Sequence, residues 1–133
     1  MPGMDGDAEI YLGKAGESLL TAESEFAFGR YNSCANRCYY AAFQAAIAAL
    51  LGEGIRPTGR WTHEYVQAQF AGQLINRRKR YDPRLRRILQ STSYLRVEAD
   101  YQINMVKRTE ANRALRESQE FVEAVRARKE LVP

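Results

Sequence analysis

Between Arg30 and Leu51 the chain runs RYNSCANRCYYAAFQAAIAALL, 22 residues without a glycine or a proline. Read at helical spacing, Ala35, Tyr39, Ala42, Ala46 and Ala49 fall in one stripe, and Asn36, Tyr40, Phe43, Ile47 and Leu50 fall in a second beside it. A helix apolar over so wide an arc must be the centre of a bundle, or lie between a bundle and a second copy of itself. The alanines let another backbone approach closely. The bulkier stripe carries Asn36 and the Tyr40 hydroxyl into apolar surroundings, where polar groups need partners, so it is the place to seek a site. Asn36, Arg37, Gln44 and the tyrosine hydroxyls argue against a membrane span.

The other segments fall into place around this one. Leu12, Ala15, Leu19, Ala22 and Phe26 keep three-four spacing beneath an outer face of Glu17, Glu23 and Glu25, which predicts a first helix from a cap at Asp7 to about Phe28. Gly29 closes it, and the short link makes the first two helices antiparallel neighbours. GEGIRPTGR is a loop. A shorter helix is expected from Trp61 or Thr62 to about Leu74, ended by NRRKRYDP, where consecutive cations repel and Pro83 disfavours a helical Asp82. Asp82 then caps a fourth helix to about Asn104, with Leu85, Ile88, Thr92, Leu95 and Ala99 inward. The last helix, about Thr109 to Arg128, turns Ala111, Leu115, Ser118, Val122 and Val125 inward. No stretch alternates like a strand. The expected fold is therefore all-α, an up-and-down bundle of four long helices and one short one. The expected organisation is a leader over 1–7, one domain over 8–129 and a tail over 130–133.

Charge is distributed unevenly. From Arg56 to Arg96 there are ten arginines or lysines against two acids, a balance of +8 in a chain of net charge +4, so the remainder carries −4. Such a block suits a phosphate-rich partner, although a solvated basic face explains it equally well. With one histidine and two cysteines, Cys34 and Cys38, no zinc site or other cofactor is expected. The two thiols share a helix face and read as small buried hydrophobes. The acidic start, MPGMDGDAE, has no cationic segment leading into an apolar run, so no export signal is expected and the cytoplasm is the expected compartment.

Phosphate-loop, nucleophile-elbow, paired-histidine and twin-carboxylate motifs are absent from the sequence. One cluster remains, Tyr94-Leu95-Arg96-Val97-Glu98-Ala99-Asp100-Tyr101, in which Arg96 and Asp100 can pair along the helix. By spacing alone this reads as a surface ion pair. In order along the chain, Asn36-Arg37-Cys38-Tyr39-Tyr40-Ala41, Thr62-His63 and Arg96-Val97-Glu98-Ala99-Asp100-Tyr101 resemble the motifs N-R-x-Y-Y-A, T-H and R-x-x-A-D-Y. These belong to the HEPN family, the higher-eukaryote and prokaryote nucleotide-binding domains, in its small stand-alone bacterial and archaeal type. A fourth motif, E-A-x-x-F-V, is matched in part by Glu120-Phe121-Val122.

The resemblance implies a bundle that forms a homodimer and sets facing clusters near the two-fold axis. It also implies RNA or nucleotide as ligand. Many members are metal-independent ribonucleases, often toxins neutralised by a nucleotidyltransferase encoded beside them, with an arginine followed four to six residues later by a histidine. Here that later residue is Tyr101, and a phenol, ordinarily of pKa about 10, is a poor base at neutral pH. Arg96 would clamp a phosphate, Asp100 would orient it, Tyr101 would hydrogen-bond or stack, and Asn36 would face them across the helix pair. Tyr40 and His63, with Arg77, Arg78, Lys79 and Arg80, are the candidate substrate contacts. Tyr40 reads also as a core or dimer contact, and His63 as a ring that bonds a neighbouring group. A non-catalytic subunit that docks a nucleotidyltransferase, or a purely structural dimer, are the competing readings.

Overall fold

A computed structural model of the chain describes residues 6–131, with the side chains of 129–131 left aside. It is all helix among the described residues: α1 (Gly6–Ala27), α2 (Tyr31–Gly52), α3 (His63–Gln69), which continues as π-helical turns over Phe70–Arg77, α4 (Arg84–Tyr101) and α5 (Arg108–Leu131). The first helix starts one residue ahead of Asp7, so Asp7 lies in its first turn and does not precede it as a cap. Residues 1–5 of the expected leader and 132–133 of the expected tail lie outside the described residues. Helix α5 runs through the first two tail positions.

Both ends of the α1–α2 hairpin are closed by the same device. After α1, Arg30 N–H donates to Glu25 O at 2.8 Å and Gly29 N–H to Phe26 O at 3.0 Å, with Gly29 at φ +76°. After α2, Ile55 N–H donates to Leu50 O at 2.9 Å and Gly54 N–H to Leu51 O at 3.0 Å, with Gly54 at φ +78°. This double bond pattern satisfies carbonyls that a helix end leaves open, and it needs a left-handed residue that only glycine adopts without a steric penalty.

Helix α2 packs against every other helix of the bundle. Fourteen of its residues are buried, among them the whole alanine stripe together with Phe43, Ile47 and Leu50. Its two-sided apolar arc is thus used up inside one chain. The second copy offered as an alternative is not needed to cover it. The inward stripes of α1, α4 and α5 meet it, with Phe26 and Ala99 at the half-buried rim. Cys34 and Cys38 are both free and buried, with sulfurs 3.9 Å apart. The contact with Cys34 pushes the Cys38 thiol far up and burial adds to this, while Cys34 is lowered by the same contact.

Two differences from the sequence reading concern the third helix. Thr62 caps it, its Oγ accepting Tyr65 N–H at 3.1 Å, but the helix does not stop near Leu74. It runs to Arg77 in widened turns that bring Phe70, Leu74 and Ile75 into the core, with Phe70 against Phe121 and Tyr81 at 5.1 and 5.3 Å. It ends at Arg77, inside the run expected to break it, and Glu53 takes up two of the cations in the irregular stretch that follows. Arg78 Nη1 lies 3.2 Å and Arg80 Nε 3.3 Å from Glu53 Oε1. The turn ends on Lys79, a non-glycine at φ +53°. Helix α4 begins at Arg84 with Pro83, not Asp82, directly before it, and Asp82 accepts Arg84 N–H at 2.8 Å from one position further back.

Candidate functional site

The first half of α2, the last turns of α4 and the first turn of α3 converge on one group of side chains. Arg96 and Asp100 are one helical turn apart on α4, so both point toward α2; Arg96 Nη1 lies 3.6 Å from Asp100 Oδ2, a charge contact and not a tight hydrogen bond. Asn36 Nδ2 donates to the same carboxylate oxygen at 3.0 Å, and Asn36 Oδ1 accepts from Arg37 Nε at 2.9 Å. Arg96 is only 12% exposed at its side chain, and its guanidinium lies over two rings, 5.1 Å from the centre of Tyr39 and 5.8 Å from that of Tyr40. Arg37 reaches Tyr40 as well, at 5.1 Å. A buried cation is tolerated here because a carboxylate and two aromatic faces replace its water. Its Nε has no hydrogen-bond partner among the described residues.

Tyr39 links this cluster to His63. Completely buried, it places its hydroxyl 2.7 Å from His63 Nδ1, while Gln67 Nε2 donates to that hydroxyl at 3.5 Å. With Gln67 donating, the hydroxyl hydrogen goes to Nδ1, so the imidazole accepts there and carries its own hydrogen on Nε2. Burial lowers the His63 pKa and the Arg96 charge lowers it further, which keeps the ring neutral at pH 7. Burial raises that of Tyr39, with Gln67 and Arg96 opposing, so the phenol keeps its hydrogen. His63 also packs on Phe43, ring centres 4.9 Å apart.

The candidate residues therefore divide into three groups. Arg96, Asp100 and Asn36 are in contact; Tyr40 and His63 border them. Tyr101 does not join: it is 72% exposed and forms no hydrogen bond or ring contact among the described residues. Five residues beyond Arg96, its side chain is turned about 140° round the helix. Arg77, Arg78, Lys79 and Arg80 do not join either. Arg78 and Arg80 pair with Glu53, at the far end of α2 and about 25 Å along the axis from Asn36, and Lys79 donates to Asn76 O. Arg37, Tyr39 and Gln67 were not among the candidates. The first two stood inside the N-R-x-Y-Y motif, and Gln67 follows His63 by one turn, a spacing that would have suggested it.

No group of three or more metal-ligating side chains is present among the described residues, and no helix there is long and apolar enough to cross a membrane. Beside the cluster the outer face of α4 exposes Tyr94, Val97 and Tyr101, followed by Ile103 and Met105. Asn32 fixes that last segment to α2, accepting Val106 N–H at 2.9 Å.

A family model described as HEPN domain matches residues 8–129. The chain belongs to the HEPN family. This HEPN chain is also 42% identical over 48 residues to a UPF0332 protein of Archaeoglobus fulgidus, a stretch that is 36% of this chain and 38% of the relative. The chain thus spans well under half the length of that relative. The all-α bundle of four long helices and one short one agrees with the family assignment.

Proposed function

We propose that this HEPN protein is an RNA- or nucleotide-binding module of the toxin–antitoxin or defence type, acting in the cytoplasm as a homodimer and holding phosphate at Arg96 and Arg37. The observation that carries the reading is the placement of Arg96, a cation clamped between Asp100 and the faces of Tyr39 and Tyr40, so that little side-chain entropy is left to lose on binding an anion. Asp100 meets the Arg96 guanidinium and the Asn36 amide, Arg37 is held through Asn36 Oδ1, and Glu25 on the same cleft is paired with Arg30, so Arg37 is left without a carboxylate of its own among the described residues.

Cleavage is not part of the proposal. An acid–base group is missing where the family pattern has histidine, Tyr101 faces solvent, and the Nδ1 of His63 is occupied by Tyr39. The test is fluorescence anisotropy of a labelled single-stranded RNA over a salt series. Binding should fall with salt at a slope of roughly −0.7 per phosphate contact, and Arg96→Ala should cost about tenfold. Affinity indifferent to both would refute binding at this cluster, and RNA cut by wild type but not by Arg96→Ala would restore a ribonuclease.

The exposed row on α4 favours a second reading, in which that face docks a nucleotidyltransferase partner. Sedimentation of the chain alone, with and without such a partner, separates a self-associating face from one reserved for another protein.

A further inference from the structure

On the other side of Tyr40 lies a separate cleft of about 450 Å³, between α1, α2 and the two residues that lead to Thr62. This is within the roughly 300–1,000 Å³ of small-molecule sites. Its floor is Phe43 and Ile47, both buried in the α2 stripe. One wall is Tyr11 of α1 with Trp61, rings edge-on at 6.4 Å, and another is Tyr40. Gln44 also lines it, but its amide nitrogen, turned toward the Lys14 and Tyr40 carbonyls, reaches them at 3.1 and 3.0 Å and is used up inside the protein. The cleft therefore offers mainly aromatic surface, with no amide donor of Gln44 left free at its base.

Its rim has a definite charge. Lys14 Nζ is held 5.5 Å over the Tyr11 ring, and Arg60 stands exposed next to Trp61. Neither forms an ion pair among the described residues, and no acidic side chain lines the cleft. Two unneutralised cations over an aromatic slot are complementary to a flat ring that carries an anion.

We propose that this cleft binds a nucleoside monophosphate unit, the base between the Tyr11–Trp61 and Tyr40 walls and the phosphate between Lys14 and Arg60. The unit is a free nucleotide or the 5′ end of an RNA. With the Gln44 amide donor engaged and Phe43 and Ile47 as the floor, recognition is mainly by stacking, so purine and pyrimidine monophosphates should bind within a few-fold of one another. The inference is independent of whether Arg96 binds RNA.

Trp61 is the chain's single tryptophan and reports on the cleft directly. Titration with AMP should quench its fluorescence saturably, with adenosine and inorganic phosphate each about tenfold weaker. Lys14→Ala and Arg60→Ala, both on exposed side chains, should each weaken AMP binding about tenfold, whereas Arg96→Ala should leave it within about twofold. A 5′-phosphorylated RNA oligomer that competes with AMP makes an RNA end the ligand. One that does not leaves the free nucleotide. The site is overturned if AMP gives no saturation, if inorganic phosphate matches it, or if Lys14→Ala and Arg60→Ala are without effect. Loss of AMP binding in Arg96→Ala alone would move the nucleotide to the α2–α4 cluster, which overturns this site and leaves the earlier proposal standing.

Discussion

Tyr39→Phe removes one oxygen from the centre of the bundle and little else. The ring keeps its packing on Tyr40 and Phe43, at 5.3 and 5.6 Å, and stays under the Arg96 guanidinium at 5.1 Å. What goes is the 2.7 Å bond to His63 Nδ1. Leaving a buried acceptor without its donor costs about 1–3 kcal/mol, and because His63 is itself only half-buried the lower end applies, about 1–1.5 kcal/mol. For a domain of this size that is a fall in Tm of about 4–6 °C. His63→Phe should cost a similar amount, since it strands the Tyr39 hydroxyl. The double variant replaces both partners by apolar rings and should cost clearly less than the sum, with a coupling of about 1 kcal/mol. The pH dependence has a definite sign. The folded pKa of His63 lies below its ordinary 6.5, so between the two values the unfolded chain binds more protons, and stability rises with pH there. The contribution is complete above about pH 6.5 and is lost as pH falls through that value toward the folded pKa. His63 is the one histidine in the chain, so His63→Phe should flatten the fall in thermal stability that wild type shows as pH drops below about 6.5. Additive single variants in thermal melts, or a pH slope unchanged by His63→Phe, would show that the Tyr39–His63 bond does not organise this site.

Three further outcomes follow from the same geometry. Glu53→Ala frees Arg78 and Arg80 and should destabilise the chain by about 1 kcal/mol in a denaturant melt, since these pairs are partly exposed; an unchanged midpoint would mean that they hold nothing. Lys79→Gly removes the left-handed strain at φ +53° and should raise Tm by about 2–4 °C, where a lower Tm would show that the loss of backbone freedom outweighs the relief. If α4 forms the dimer face, Tyr94→Glu with Val97→Glu should give a folded monomer by sedimentation, and a dimer unaffected by both charges would place the contact elsewhere.

The helices and their faces were legible because each is fixed by periodicity within its own segment: Leu12 to Ala22, Leu85 to Leu95 and Ala111 to Val125 are buried as spaced. The third helix ends inside the cationic run, a little beyond the expected Leu74, but what holds the stretch after it was not legible, because Glu53 reaches Arg78 across 25 residues. The site divides in the same way. Arg96 and Asp100 form a pair that any helix would bring together, and Asn36 was marked by its polarity on an apolar stripe, although its bond to Asp100 spans 64 positions. Tyr39 bore no such mark: it sits in the alanine stripe, which reads as close packing, and its value to the site lies in a hydroxyl directed at a histidine 24 residues away. The apolar breadth of α2 pointed to self-association, yet α1, α3, α4 and α5 already cover that helix. The apolar surface left over is on α4, where Tyr94, Val97 and Tyr101 repeat at three and four residues on the face opposite its buried stripe. A partner or second copy covering that row would bury Tyr101 on the side of α4 turned away from Arg96, so contact between Tyr101 and the cluster is not made through α4 itself.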